Sequence, residues 1–486
     1  MDIRQLYSYK NPFPSWLSTN PMAIYFIALV IVSLMYSAFS LPWYYMLSGA
    51  VSILVFFLYG RSLCQDKSFI QTIKDKSFEK KIFIIAFVPR LIFMVLLYII
   101  FQNAYGDAFG FENNDTSFYD VLGGQFAEAI KNGRFFKFWS DCAKDTDISD
   151  MGYGAYLGLI YLLTDSSVLV VRLLKCIFSA ITVVLIYRIA LRNFGSKTAR
   201  VAAIFCALWP NFWYYCGTHL KETEMVFIGV LFVEQAEQML RSRQFTAWKV
   251  IPILLIAATL FTFRTPLALV ALLSLVFSVV MSSSRVVNWG KRIIVGGLAI
   301  MLIFVVAGNV VQEQTSQLLR QVQGGQQKGN MEWRAERKDG NKFAKYAGAS
   351  VFAPLMFTLP FPTMTRPYDG QEQQQLLNGG NFVKNIISGF TILAMVTLLM
   401  SGGWREHLLP ISYLLGYLVV LAFSSFAQSE RFHQPAMPFE LMFAAYGLSI
   451  AMTKPKYKRW FTYWSALMFV ACIAWNWFKM AGRGLS

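Results

Sequence analysis

Apolar residues fall along this chain in long unbroken blocks separated by polar intervals. The blocks lie at 22–38, 41–60, 82–102, 168–191, 200–217, 225–240, 249–263, 267–282, 292–308, 383–401, 407–426, 435–452 and 459–478. Continuous apolar runs near 20 residues are the length of a helix crossing the hydrocarbon of a bilayer. The pattern predicts an all-α polytopic membrane protein with about 13 transmembrane helices. Two further apolar pieces, 152–163 and 351–362, hold only about a dozen residues each, too few to cross, and are expected to be re-entrant or interfacial.

The polar intervals divide the chain. Residues 1–81 form a two-span N-terminal extension, and 82–308 a central module interrupted by the first long polar stretch, 102–150. Residues 309–382 form a second long polar region, and 383–486 carry the last helices. In the second region Val311, Thr315, Leu318 and Val322 recur at helical spacing and predict an amphipathic helix on the membrane surface, ended by Gly324 and Gly325. The mixed-charge residues after it are expected to lack regular structure. Pro354, Pro360, Pro362 and Pro367 interrupt the second short apolar piece.

Composition agrees with a membrane reading. The chain has 486 residues, of which 56% are hydrophobic and 15% charged, against about 25% charged in a soluble protein. Its net charge of +17 does not point to nucleic acid, because the basic residues concentrate in alternate short loops, the orientation signal of membrane insertion. The basic loops are 61–81, 188–200, 241–249, 285–292 and 454–459. With 13 spans and two non-crossing pieces all five fall on one side, the cytoplasm. The 102–150 stretch, the turn at Lys221 and Glu222, the 309–382 region and the segment Gln428–His433 then share the other side. The six cysteines have no metal-ligand spacing. Core thiols are expected, with a Cys142–Cys216 disulfide as the alternative.

The residues able to carry chemistry gather in those outer segments. Asp115, in Asn113-Asn114-Asp115, sits beside aromatics such as Tyr119 and can serve as a general base. Glu222, between Lys221 and Glu224, can supply a second carboxylate, and two carboxylates can share a divalent cation such as Mg or Mn. Arg431, His433 and Arg264 stand at helix ends, where cations can bind a phosphate and stabilise charge growing on it. Arg90 lies inside an apolar run, where a charge costs about 2.5–3.5 kcal/mol on insertion scales, so it needs a partner in the bundle. Each also has a plainer reading: a solvated loop aspartate, a first helical turn, snorkelling side chains, a structural ion pair. There is no P-loop, no HExxH motif and no dinucleotide glycine fingerprint. Three histidines in all exclude a histidine-rich metal site.

The order of several pieces resembles a known family. These are Arg90 before a long outer loop, Asp115 and Tyr119 in that loop, Gly152-Tyr153-Gly154-Ala155-Tyr156, and Val171-Arg172-Leu173-Leu174. Then come Tyr187-Arg188, Asn193-Phe194-Gly195, Trp209-Pro210 leading to Lys221-Glu222, and Glu430-Arg431-Phe432 with Pro435 and Pro438. Together they resemble the GT-C glycosyltransferases of the polyprenyl-phosphate-mannose mannosyltransferase superfamily, the glycosyltransferase family 39-like group. The resemblance implies a GT-C fold with interfacial helices in its first extracytoplasmic loop. It implies transfer of a sugar from a polyprenyl-phosphate donor to a hydroxyl of a lipid-linked or other glycan acceptor, on the periplasmic face of a bacterial inner membrane. Asp115 matches the acidic residue of the first loop, which acts as base or helps organise the site, and Glu222 the second acidic position. Tyr119, Lys221, Arg264, Arg431, His433 and Arg90 are the expected substrate contacts. Asn114 stands where members often carry a second adjacent acid, which leaves the metal requirement open. Two other classes compete: a polysaccharide polymerase or O-antigen ligase using 309–382 as its acceptor loop, and a lipid-linked oligosaccharide transporter.

Overall fold

The computed structural model describes residues 12–35, 41–110, 113–145, 148–242, 247–283, 325–336, 341–346, 348–365, 372–424, 426–453 and 455–482, with Val287 and Gly297 besides. These residues are helical with connecting turns, and among them there is no β-strand. The helices in order are α1 (Ser15–Met35), α2 (Trp43–Gln65), α3 (Asp75–Tyr105), α4 (Asn113–Lys131), α5 (Phe135–Asp145), α6 (Ile148–Thr164), α7 (Val168–Phe194), α8 (Ser196–Leu208) and α9 (Pro210–Gly217). They continue with α10 (Glu222–Arg241), α11 (Val250–Phe263), α12 (Thr265–Met281), α13 (Gly325–Glu336), α14 (Asn378–Ser401), α15 (Leu408–Phe423), α16 (Met437–Ala451) and α17 (Pro455–Ala481).

Every apolar block except 292–308, of which only Gly297 is described, falls on helical residues where it is described. Six of these helices (α1, α2, α3, α7, α14 and α17) are long and apolar enough to cross a membrane. The helices α11, α12, α15 and α16 are apolar but shorter. The structure therefore supports six candidate spans among the described residues, fewer than the 13 expected from the runs. One reason is local chemistry. The block 200–217 is not one helix but two, because Pro210 has no N–H to give the carbonyl of Cys206 and pushes Trp209 into an extended conformation (φ −64°, ψ 113°).

The predicted surface helix at 311–322 lies outside the described residues. Just after it, Gly325–Glu336 is helical (α13), where a stretch without regular structure was expected. The short apolar piece at 351–362 carries only a turn of helix, Ala349–Phe352, and a 3-10 turn, Ala353–Leu355, before continuing without helix to Thr365.

The bundle has two chemically distinct ends. At one, Arg188 meets Glu79, and Arg200 meets Asp75. Arg192 meets Glu234 and Glu237, and Arg241 meets Glu237 and the carbonyl of Glu406. The basic loops on the described residues thus gather where α3 begins and α7 and α10 end. At the other end lie the close of α3, the start of α7, the turn 218–221 and the segment 426–433. The continuous helix α6 lies across this second end. Its first turn meets Lys221 through Ser149 and Asp150, while Tyr161, near its last turn, meets His219. Both of its ends therefore reach the same turn. Close packing fixes these crossings: a Cβ on Gly447 of α16 would fall 1.8 Å from the carbonyl oxygen of Phe390 on α14. No disulfide joins the cysteines; Cys142 is half-buried and the other five are buried.

Candidate active site

Three remote stretches converge at the end of the bundle that α6 covers. The first is the opening turn of α4, which carries Asp115. The second is the turn 218–221 with the start of α10, which carries Lys221 and Glu222. The third is the short helical turn Glu430–His433. Each carboxylate lies in the first turn of its helix, where unsatisfied N–H groups and the helix dipole favour negative charge.

Arg431 joins them. Its Nε donates to Glu222 Oε1 and its Nη1 to Asp115 Oδ2. A guanidinium presents several donors in one plane and can bridge two acceptors in this way. The two carboxylates differ in environment: the Glu222 side chain is 3% exposed and that of Asp115 57%. Glu222 keeps one oxygen, Oε2, without a hydrogen-bond partner among the described residues. A pocket opens beside it, walled by Ser179, Thr182, Phe212, Tyr215, Thr223, Val226 and Gln434.

Arg264 stands next to Arg431. It is the extended residue of the tight turn between α11 and α12 (φ −163°, ψ 94°), where Pro266 lies in the first turn of the following helix. Its guanidinium carbon lies 4.6 Å from the centre of the Phe432 ring, and that of Arg431 lies 5.7 Å from the same ring. Phe432 stacks on Phe426 at 4.3 Å, and its carbonyl accepts from Tyr417 Oη at 2.8 Å. Two cations thus share one aromatic platform.

Lys221 is buried, and it donates to Asp150 Oδ1 and, at 2.6 Å, to the carbonyl of Ser149. Tyr119 Oη donates to the same Asp150 oxygen at 2.7 Å. Burial acts to raise the Asp150 carboxyl, but the Lys221 ammonium and the two hydrogen bonds outweigh it and hold the group below the ordinary aspartate value. Burial and the neighbouring Asp150 push the Tyr119 hydroxyl up, so it stays a proton donor.

A second chain runs alongside. Tyr161 Oη donates to Asp120 at 2.5 Å and lies 3.0 Å from His219 Nε2. Since the tyrosine proton goes to Asp120, the histidine carries its own on Nε2 and donates it to the tyrosine oxygen. Burial, and then Lys175 and Arg172, hold His219 well below its ordinary value, so it is neutral.

Of the residues singled out in the sequence, the fold brings Asp115, Glu222, Arg431 and Arg264 into one cluster, with Tyr119 and Lys221 in the layer beside it. It does not bring Arg90 or His433 there. Arg90 is buried at the break between α8 and α9. It donates to Ser179 Oγ (2.8 Å) and to the carbonyls of Ala86 (2.7 Å), Ala207 (2.9 Å) and Cys206 (3.0 Å). The Cys206 carbonyl is the one that Pro210 leaves without its helical donor. His433 is buried against Lys384.

Sequence reasoning missed Asp150, the anchor of Lys221 and Tyr119. It also missed the pair Lys175–Glu224, at 2.9 Å with both side chains buried. The signal for the pair was present: a lysine in one apolar run needs an acid at equal depth in another, and Glu224 opens the nearest candidate.

The Asp115 and Glu222 carboxylates that a divalent cation could share are joined instead by the Arg431 guanidinium. Among the described residues no three His, Cys, Asp or Glu side chains converge as metal ligands. In this arrangement a cation shared by the two carboxylates would have to displace that guanidinium.

Residues 152–310 match the model of the dolichyl-phosphate-mannose-protein mannosyltransferase family. That interval contains Lys221, Glu222 and Arg264, while Asp115, Tyr119 and Arg431 lie outside it. No curated protein matches the chain. No solved structure matches it either.

Proposed function

We propose, from a chain matching a mannosyltransferase family over residues 152–310 and holding six helices able to cross a membrane, that this protein is an integral membrane glycosyltransferase. It moves a sugar from a polyprenyl-phosphate donor to a hydroxyl of a lipid-linked or other glycan acceptor. The observation that carries this reading is the bridge that Arg431 makes between Asp115 and Glu222. It puts a solvent-facing carboxylate, a buried carboxylate and a guanidinium at one point, with Arg264 alongside.

Each group has a chemical task in such a transfer. The lipid phosphate docks against Arg431 and Arg264, whose charges match the charge that grows on it. The phosphate competes with Asp115 for the Arg431 guanidinium, so donor binding releases the aspartate carboxylate. Asp115 then takes the proton of the acceptor hydroxyl as its oxygen attacks the anomeric carbon. The new C–O bond forms as the bond to the phosphate oxygen breaks, and that oxygen keeps the electron pair. One direct displacement inverts the anomeric centre. Glu222, through its other contact with Arg431, keeps the guanidinium in place. Exposed apolar side chains such as Ile92, Leu96 and Ile99 on α3 offer a surface for a prenyl tail. The site faces the periplasm of a bacterial inner membrane, on the charge pattern of the loops.

The test is Asp115→Asn, purified at unchanged yield and assayed with a panel of polyprenyl-phosphate sugars. Turnover is expected to fall about 10²–10⁴-fold, the usual worth of a positioned base. Undiminished turnover in the mutant would overturn Asp115 as base. Absence of sugar transfer by the wild-type protein, with movement of the lipid-linked sugar across vesicles, would favour the transporter reading.

A further inference from the structure

Away from Asp115 and Glu222, three ionisable side chains meet inside the bundle. They are Lys384 on α14, Glu440 on α16, and His433 in the turn Glu430–His433, and all three are buried. A charge at such depth is costly unless it is partnered, and its partners usually reveal its purpose. Lys384 Nζ meets three groups: the carbonyl of Leu359, His433 Nδ1 at 2.8 Å, and Glu440 Oε2 at 3.5 Å. Glu440 has no hydrogen-bond partner among the described residues, so the lysine ammonium is its compensation.

The contact to His433 fixes more than a distance. An ammonium only donates, so Nδ1 must accept, and the imidazole proton sits on Nε2. Nε2 donates to the carbonyl of Ala427 at 2.9 Å. The histidine therefore closes residues 427–433 into a ring clamped to α14. Arg431 lies inside that ring, two residues before the clamp. The backbone on either side is held as well. Gln434 Nε2 donates to the Glu430 carbonyl, and Tyr417 Oη to the Phe432 carbonyl, each at 2.8 Å.

We propose that Lys384 is a positioning residue of the site. Acting through His433, it sets the 427–433 segment so that Arg431 reaches Asp115 and Glu222 together. The inference rests on the reading of Arg431 given above, but part of its test does not depend on that reading. Glu440 supplies the counter-charge that keeps Lys384 ionised and donating. His433 serves as a one-tautomer link, which explains why it stands near the site without touching it.

The test compares Lys384→Met with the wild-type full chain in detergent. Amide hydrogen exchange is read across 427–433, with α3 and α11 as internal references. Exchange in 427–433 is expected to quicken by about tenfold or more while the reference helices hold. Unchanged protection of that segment overturns the proposal.

Turnover of the polyprenyl-phosphate sugar panel is the second readout. Lys384→Met is expected to lower it ~10–100-fold, the scale of a misplaced catalytic contact. In an Arg431→Ala background the same change is expected to cost less than about twofold, because the two act in series. Equal losses in both backgrounds overturn the proposal. If the wild-type protein transfers none of the sugars, the functional reading fails and the exchange arm still decides the positioning.

If Lys384→Met does not fold, Lys384→Met/Glu440→Gln removes the stranded carboxylate. Histidine variants test the link from its other end. His433→Gln offers an acceptor and a donor on one amide and is expected to keep the segment protected, while His433→Leu loses it. Equal behaviour of those two variants overturns the proposal.

Discussion

A single residue shows how a costly charge can serve the fold rather than the chemistry. Arg90 is conspicuous in the sequence because it interrupts an apolar run, and the same position invites a substrate role. Its surroundings in the bundle give it another. Pro210 deprives the Cys206 carbonyl of its helical donor, and the Arg90 guanidinium supplies one from α3, together with donors to Ala207 and Ser179. Arg90→Met is expected to destabilise the protein by about 1–3 kcal/mol for the Cys206 carbonyl left buried and unpaired, since Trp213 Nε1 still donates to the Ala207 carbonyl. Arg90→Lys should recover only part of the loss, since an ammonium cannot present a planar fork. Thermal unfolding in detergent checks both, and KM for the donor in the folded fraction is expected to stay at the wild-type value. A KM that rises with the melting point unchanged would return Arg90 to the substrate.

At the scale of elements, the junction of α4, α6 and the 218–221 turn behaves as one electrostatic unit. Lys221 and Tyr119 hold Asp150, and His219 leans on Tyr161 and Asp120. The histidine makes this junction sensitive to acid. Its folded value lies well below the ordinary 6.5 because burial, Lys175 and Arg172 all oppose its charge. The unfolded chain therefore binds a proton below about pH 6.5 that the folded chain refuses, and stability falls as pH drops through that point. Asp150, also depressed, adds a loss in the same direction at lower pH, below the ordinary aspartate value of 3.8. The melting temperature is expected to decline from pH 7 to pH 5, and His219→Gln to make that decline shallower. An identical slope in the variant would show that another group sets it. The junction was only partly legible in the sequence. The acid-rich stretch announced itself, but the partner of Lys221 did not. Asp150 is one of several carboxylates in a polar stretch, and only helix α6, lying back across the bundle end, selects it.

For the whole molecule, the parity of the basic loops is the feature with the widest consequence. On the described residues those loops share one end of the bundle, and the Asp115–Arg431–Glu222 cluster occupies the other. With the basic end in the cytoplasm, the cluster faces outward. Single-cysteine variants in a cysteine-free background test this. A membrane-impermeant thiol reagent added to intact spheroplasts is expected to label Lys144→Cys on α5 and to leave Lys458→Cys on α17 untouched until the membrane is opened. The reverse pattern would place the cluster in the cytoplasm and remove the periplasmic reading.

The sequence by itself determined the class of the molecule, because helix formation in an apolar medium depends on local composition and length alone. It also set the basic loops apart from the acidic segments, and the fold brings the described basic loops to one end of the bundle. Asp115, Glu222 and Arg431 stood out for the same local reason, as charges beside apolar runs. Only the tertiary structure decided that one guanidinium binds both carboxylates, since the three residues are separated by more than a hundred positions of chain. It alone decided that Arg90 mends a helix break and that His433 faces Lys384, because the direction of a side chain depends on the helix packed against it. A sequence shows where charge is expensive; the packed bundle shows what each charge is set against.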